Sequence, residues 1–145
     1  MIIKFNIPGW NYFVSDKVKS EDINIGEWVV PVKNFSESRL DELCTAAIEQ
    51  GITGCCKHTE GLYELYNGSD NGSLTICFYT SFGDVSAHKR LFQFLIDNGL
   101  IEKDGKGFRD IDYIMYPQKE KECNLYPPIQ KLSDFIELET GKAIK

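Results

Sequence analysis

A lysine and a histidine stand side by side in the stretch best suited to chemistry, Cys55-Cys56-Lys57-His58-Thr59. The stretch has the pattern of a β-strand, so Lys57 and His58 point to opposite faces of a sheet. A charged lysine inside a strand is costly to bury without a partner. We therefore expect Lys57 to face an open sheet surface, where it would bind an anion or, with a lowered pKa, act as a base. The simpler alternative is a solvated surface lysine.

The chain has two histidines, His58 and His88, and five cysteines. We expect His58 on an exposed strand face and His88 facing solvent near the start of a helix, with acid or ligand roles as the alternative. The cysteines form no Cys-x-x-Cys pair, which is typical of reduced intracellular thiols. Cys55 and Cys56 point apart in an extended chain and cannot easily share a metal ion. The sequence predicts neither a metal site nor a cofactor.

Aromatic residues are the other chemical signal, and most of them will pack in the core. Tyr79 and Tyr113 occupy strand positions from which they would instead line the open face and stack a base or sugar beside Lys57. Such a combination suits a nucleotide or another small phosphorylated ligand.

Two helices and several strands must position these side chains. Ser36 is a good N-cap for a helix over residues 37–50, and Asp84 for a helix over residues 85–98. Strands are predicted at residues 27–32, 52–59, 62–66, 74–80 and 111–116. Pro31 indicates that the first of these strands lies at a sheet edge or ends there.

One domain spans the 145 residues, with an irregular N-terminal wrap (1–25), a core (26–116) and a C-terminal extension (117–145) that includes a short helix over 133–139. Residues 27–59 and 74–116 repeat one plan of strand, helix and strand. We therefore predict an α+β fold of two βαβ-like halves. It is a two-layer sandwich in which helices cover one face of a mostly antiparallel curved sheet.

Composition excludes several classes of function. Apolar runs are only a few residues long, so no membrane span is expected, and without a secretory signal we expect a cytoplasmic protein. The net charge is −6 and there are three arginines, which argues against binding to extended nucleic acids. Dinucleotide, P-loop and nucleophile-elbow motifs are absent, so the protein is more consistent with binding than with catalysis.

Short segments across residues 26–116 resemble the phosphothreonine lyase domain-containing family of small proteins. They are Gly26-Glu27-Trp28, Cys56-Lys57-His58-Thr59, Ile76-Cys77-Phe78-Tyr79-Thr80 and Ile111-Asp112-Tyr113. Arg90 falls near the helical arginine of that family, whereas Ile114 replaces a lysine. The resemblance implies a fold similar to that of the cap-binding translation initiation factor, with a concave sheet face free for a ligand.

These observations leave three functions open. The leading prediction is a small-ligand binding domain for a phosphorylated or nucleotide-like molecule, with a binding set of Lys57, His58, Tyr79, Arg90 and Tyr113. A second is a protein-interaction module, such as a phage-encoded inhibitor or regulator, whose acidic loops engage a basic partner. The third, implied by the resemblance, is β-elimination from phosphothreonine, with Lys57 as base and a histidine as acid.

Overall fold

The structure is a computed structural model that describes residues 2–17, 25–60, 73–115 and 130–144. Within these ranges the chain forms nine strands, two α-helices and a short 3-10 helix. In chain order they are β1 (Ile2–Ile7), β2 (Trp10–Ser15), β3 (Ile25–Lys33), α1 (Glu37–Glu49), β4 (Cys55–Thr59), β5 (Ser73–Ser81), α2 (Val85–Asp97), β6 (Lys103–Asp104), β7 (Gly107–Phe108), β8 (Asp112–Met115), β9 (Gln130–Lys131) and the 3-10 helix (Leu132–Asp134).

Seven strands form one sheet in the order β1-β2-β4-β5-β3-β8-β9, and every described pairing in it is antiparallel. The units β3-α1-β4 and β5-α2-β8 are interlocked, because β5 lies between β3 and β4 and β3 lies between β5 and β8. This is the split βαβ arrangement of ferredoxin-like folds, extended at both sheet edges. The predicted α+β class and its two βαβ-like halves are confirmed.

Both helices lie on one face of the sheet, which we call the inner face. The Cys56 thiol reaches the Cys44 carbonyl of α1, and Trp28 packs edge-on against Phe92 of α2. Cys56 and Trp28 both lie opposite Phe78 across the neighbouring strands, so all three side chains point to the inner face. The main apolar core therefore lies between this face and the two helices.

The helix boundaries agree with the capping signals in the sequence. Ser36 Oγ accepts from the Arg39 N–H (3.0 Å), and Asp84 Oδ1 accepts from the Ala87 N–H (3.0 Å). Each helix ends one residue before its predicted limit. Among the described residues neither helix has the length and apolar character needed to cross a bilayer.

Residues 2–15 form a β-hairpin, so the prediction of an irregular N-terminal wrap is wrong. Apolar side chains recur at every second residue in β1, and Pro8-Gly9 supplies the two-residue turn, with Gly9 at φ 95°. The hairpin extends the sheet by pairing β2 with β4. Clustered aromatic residues concealed this alternation in the sequence.

Three other local predictions need correction. The strand predicted from Ile52 begins at Cys55. The helix predicted over 133–139 is only the 3-10 turn Leu132–Asp134. Its predicted N-cap, Ser133, instead donates its hydroxyl to Asp110 (2.6 Å). Pro31 lies in a central strand, but β8 pairs only with residues 26–29 of that strand, so no ladder bond to β8 is lost there. The predicted strand at 62–66 lies outside the described residues, as do residues 116–129.

Candidate ligand-binding site

Lys57 lies on the face of the sheet opposite the helices, which we call the outer face. Its neighbours across the sheet are Tyr12 in β2 and Cys77 in β5. The residue is only 7% exposed, and its Nζ lies 3.4 Å from Glu27 Oε2. Glu27, also buried, thus takes the place of the anion that the sequence predicted for Lys57.

Three aromatic rings surround this ion pair. Lys57 Nζ lies 4.3 Å from the centre of a Trp10 ring, 5.4 Å from that of Tyr12 and 5.5 Å from that of Tyr79. These distances are within the range of cation–π attraction. We call Trp10, Tyr12, Tyr79 and Glu27, with Lys57 at their centre, the lysine cage.

The cage keeps Lys57 protonated. Burial disfavours the charged ammonium, but the Glu27 carboxylate and the Tyr12 hydroxyl outweigh that effect and raise the pKa of Lys57. A general base at neutral pH needs a lowered lysine pKa. The predicted base role for Lys57 therefore conflicts with its surroundings.

Burial also disfavours the ionised form of three groups in or beside the cage, Tyr79, Cys55 and Cys77. Burial, with the nearby Glu27 carboxylate and its hydrogen bond, raises the pKa of Tyr79. Burial also raises the pKa of Cys55, to about 11, and that of Cys77. Because the thiolate is the reactive form of cysteine, neither thiol is set up as a nucleophile.

His58 lies on the inner face and is fully buried, so the prediction of an exposed histidine is wrong. Its Nε2 is 2.6 Å from Asp41 Oδ1 on α1, and its Nδ1 is 2.9 Å from the Thr59 carbonyl oxygen. The ring also stacks on Phe13. His58 therefore joins β4 to α1, and its side chain lies on the opposite face of the sheet from that of Lys57.

His88 is also fully buried, against the expectation that it faces solvent. The Trp28 indole N–H donates to His88 Nδ1 (2.9 Å), and His88 Nε2 donates to the Phe82 carbonyl oxygen (3.0 Å). This pattern fixes the neutral tautomer, and burial lowers the pKa of His88. Its role is to hold the start of α2 against the sheet.

Tyr113 points to the inner face, where its hydroxyl donates to the Thr80 carbonyl oxygen (2.6 Å), so it does not line the outer face as predicted. The available signal in the sequence was Asp112, which precedes Tyr113 in the strand and therefore faces the other side of the sheet. With Asp112 directed away from the core, alternation sends Tyr113 into it.

A cleft of about 920 Å³ opens at one end of the sheet, between the C-terminal end of α1 and the N-terminal end of α2. Its lining includes Thr53, Cys55, Tyr79, Thr80, Asp84 and Arg90. The Thr53 hydroxyl donates to the Tyr79 carbonyl oxygen (2.6 Å) and accepts from the Cys55 N–H (3.2 Å), which fixes the cleft wall beside the cage.

Arg90 is exposed on α2, and its side chain makes no hydrogen bond or ion pair with any other described residue. The other two arginines are paired, Arg39 with Glu42 (3.1 Å) and Arg109 with Glu102 (3.0 Å). Of the predicted set, Tyr79 and Arg90 thus share the cleft, and Lys57 lies beside Tyr79 in the cage. His58 and Tyr113 lie elsewhere.

Sequence reasoning missed Glu27, Trp10 and Tyr12. An acidic residue within the β-branched run Glu27–Val32 was the available signal, since a buried carboxylate needs a cation and Lys57 lies inside another predicted strand. No protein-family model, curated protein or solved structure matches the chain. The family resemblance of residues 26–116 therefore stays a prediction.

Proposed function

We propose that the protein binds a small anionic molecule, phosphorylated or nucleotide-like, in the cleft at the end of the sheet. The observation that carries this proposal is that its lining holds both Tyr79 and Arg90, whose side chain has no partner among the described residues. A volume of about 920 Å³ is typical of small-molecule sites. The ligand would lie beside the lysine cage, with Lys57 shaping the wall through Tyr79 and not contacting the anion.

The charges of the cleft limit the ligand. Arg90 presents a planar guanidinium, which suits a phosphate or carboxylate group. Three acidic residues, Asp16, Glu49 and Asp84, also line the cleft, with Lys17 as the second basic one. This mixture favours a ligand with one anionic group and polar groups elsewhere over a polyphosphate.

The chemistry of the described residues favours binding over catalysis. Elimination from phosphothreonine needs a neutral lysine and an acidic histidine at one substrate. Here the pKa of Lys57 is raised, and both histidines are buried on the inner face. We therefore propose a binding domain, and place it in the cytoplasm as the sequence suggests.

The test is a thermal-shift screen of the purified chain against nucleotides, cyclic nucleotides, sugar phosphates and phosphopeptides. A ligand at a hundred times its dissociation constant adds about 2.7 kcal/mol to stability. We expect Arg90→Gln to abolish the shift given by a ligand that binds. The matched control is Arg39→Gln, which removes an exposed arginine on α1 outside the cleft lining.

Two outcomes would contradict this proposal. If no compound in the screen stabilised the protein, the proposal of a small-ligand function would be wrong. A shift that Arg90→Gln and Arg39→Gln leave equally intact would show that the ligand binds outside the cleft.

A protein-interaction role is the second candidate function. It is favoured by a separate observation, the row of exposed apolar side chains on β1. Large exposed apolar groups arranged in a row are typical of contact surfaces.

A further inference from the structure

The two edges of the sheet differ in how well they are protected against pairing. At one edge β9 has two residues, one of them Lys131. At the other edge β1 has six residues, Ile2–Ile7, and no further strand pairs with it among the described residues. Short length and exposed lysines prevent edge pairing, whereas a long apolar edge invites it.

The outer-face side chains of β1 are apolar and exposed. Ile3 is 48% exposed, Phe5 44% and Ile7 48%. Phe5 stacks on Tyr12 of the neighbouring strand at 4.9 Å between ring centres, which holds its ring in place. The one charged side chain of β1, Lys4, points to the inner face and lies over the Phe13 ring (5.5 Å). No charge therefore interrupts the apolar row.

The free edge of β1 offers backbone groups at alternate residues. Ile7 and Trp10 flank the two-residue turn and form the closing hydrogen-bonded pair of the hairpin. The backbone N–H and C=O groups of Ile2, Lys4 and Asn6 consequently point away from β2.

The sequence of β1 is nearly symmetric about Phe5. Ile3-Lys4-Phe5-Asn6-Ile7 has the order apolar, polar, aromatic, polar, apolar in both directions. A two-fold axis at Phe5 pairs Lys4 with Asn6 of a second copy through the outward backbone groups, and Ile3 with Ile7. It also places the two Phe5 rings opposite each other. An axis at Lys4 would place two ammonium groups opposite each other, which is unfavourable.

We propose that the protein forms a two-fold symmetric dimer in which β1 of two copies pair antiparallel about Phe5, giving one continuous sheet. A symmetric interface needs a self-complementary surface, and β1 is self-complementary in its outward backbone groups and in its order of apolar and polar side chains. That property favours a second copy over an unrelated partner. The dimer does not depend on a ligand in the cleft.

Sedimentation velocity of the full chain over a wide concentration range tests this proposal. We expect the mass to rise with concentration from 16.6 kDa to twice that value. Phe5→Glu places two carboxylates at the axis and is expected to weaken the dimer at least about tenfold. Val85→Glu is the matched control, because it adds the same charge at an exposed apolar residue of α2.

A cross-link tests the register without adding charge. Residues opposite each other in a non-hydrogen-bonded pair have Cα atoms about 4.5 Å apart, within disulfide range. Phe5→Cys should therefore form a disulfide-linked dimer on mild oxidation, whereas Val85→Cys and the unsubstituted chain should not.

Three results would overturn the proposal. One is a monomer at every concentration, including with a cleft ligand bound. Another is a dimer that Phe5→Glu leaves intact, which would place the interface elsewhere. The third is an absence of Phe5→Cys cross-linking in a sample that sediments as a dimer.

Discussion

Lys57 and Glu27 form an ion pair on the outer face of the sheet, with Nζ and Oε2 3.4 Å apart and both side chains buried. The two residues do not pair directly across strands, because Lys57 lies opposite Cys77 and Glu27 lies opposite Tyr79. The contact is diagonal, and it links β4 to β3 across the intervening β5. The charges of Lys57 and Glu27 thus neutralise each other inside the protein.

Removing one partner should leave the other charge buried alone. We expect Glu27→Gln to lower the free energy of unfolding by about 3 kcal/mol, measured by urea denaturation, because buried pairs lose about that much when one member is removed. The control is Glu42→Gln, which breaks the exposed pair with Arg39 and should change stability by less than about 1 kcal/mol. Equal losses in the two variants would show that water solvates Lys57.

The neutral, buried state of His88 should make stability depend on pH. Burial lowers the pKa of His88 below its ordinary value of 6.5. The unfolded chain therefore binds more protons than the native chain just below that pH, and the free energy of unfolding falls as the pH drops through this window. His88→Gln should flatten the profile between pH 6.5 and the lower native pKa. The variant retains His58. If the unsubstituted chain and His88→Gln showed the same dependence of unfolding free energy on pH, His88 would not be the cause of that dependence.

Gly26 should tolerate no side chain. A Cβ there would lie 2.7 Å from the Tyr113 ring and 2.6 Å from the Ile114 carbonyl oxygen. We expect Gly26→Ala to lower the unfolding free energy by about 1–3 kcal/mol, because crowding shifts a buried ring that is hydrogen-bonded to Thr80. Gly83→Ala is the control, since a Cβ there meets nothing within 4 Å. A similar stability of both variants would show that β8 moves freely.

Local signals in the sequence predicted much of the fold. Ser36 and Asp84 set the helix starts because capping depends on residues three positions apart. Alternation correctly separated Lys57 from His58, since side-chain direction in a strand depends only on parity. The alternation of the N-terminal hairpin is equally local, but the clustered aromatics around Pro8-Gly9 favour an irregular segment in the sequence, so that prediction fails.

The site depended on partners far along the chain. His58 is buried because Asp41 on α1 meets its ring, and His88 because Trp28 does, 60 residues away. Nothing near either histidine in sequence indicates such a partner. The same holds for Lys57, whose cage joins residues from four strands. Contacts between residues far apart in the sequence therefore determine which of the predicted site residues lie together.

The interlocked strand order has a consequence for how the chain can be divided. A cut between residues 60 and 73 would leave β3 in the first fragment without either neighbour, and β5 alone in the second. Neither fragment could complete the core, because β5 pairs with β3 and β4 across the cut and Trp28 of β3 packs against Phe92 of α2. The two fragments should therefore fold only when they associate. The intact chain should unfold as one cooperative unit.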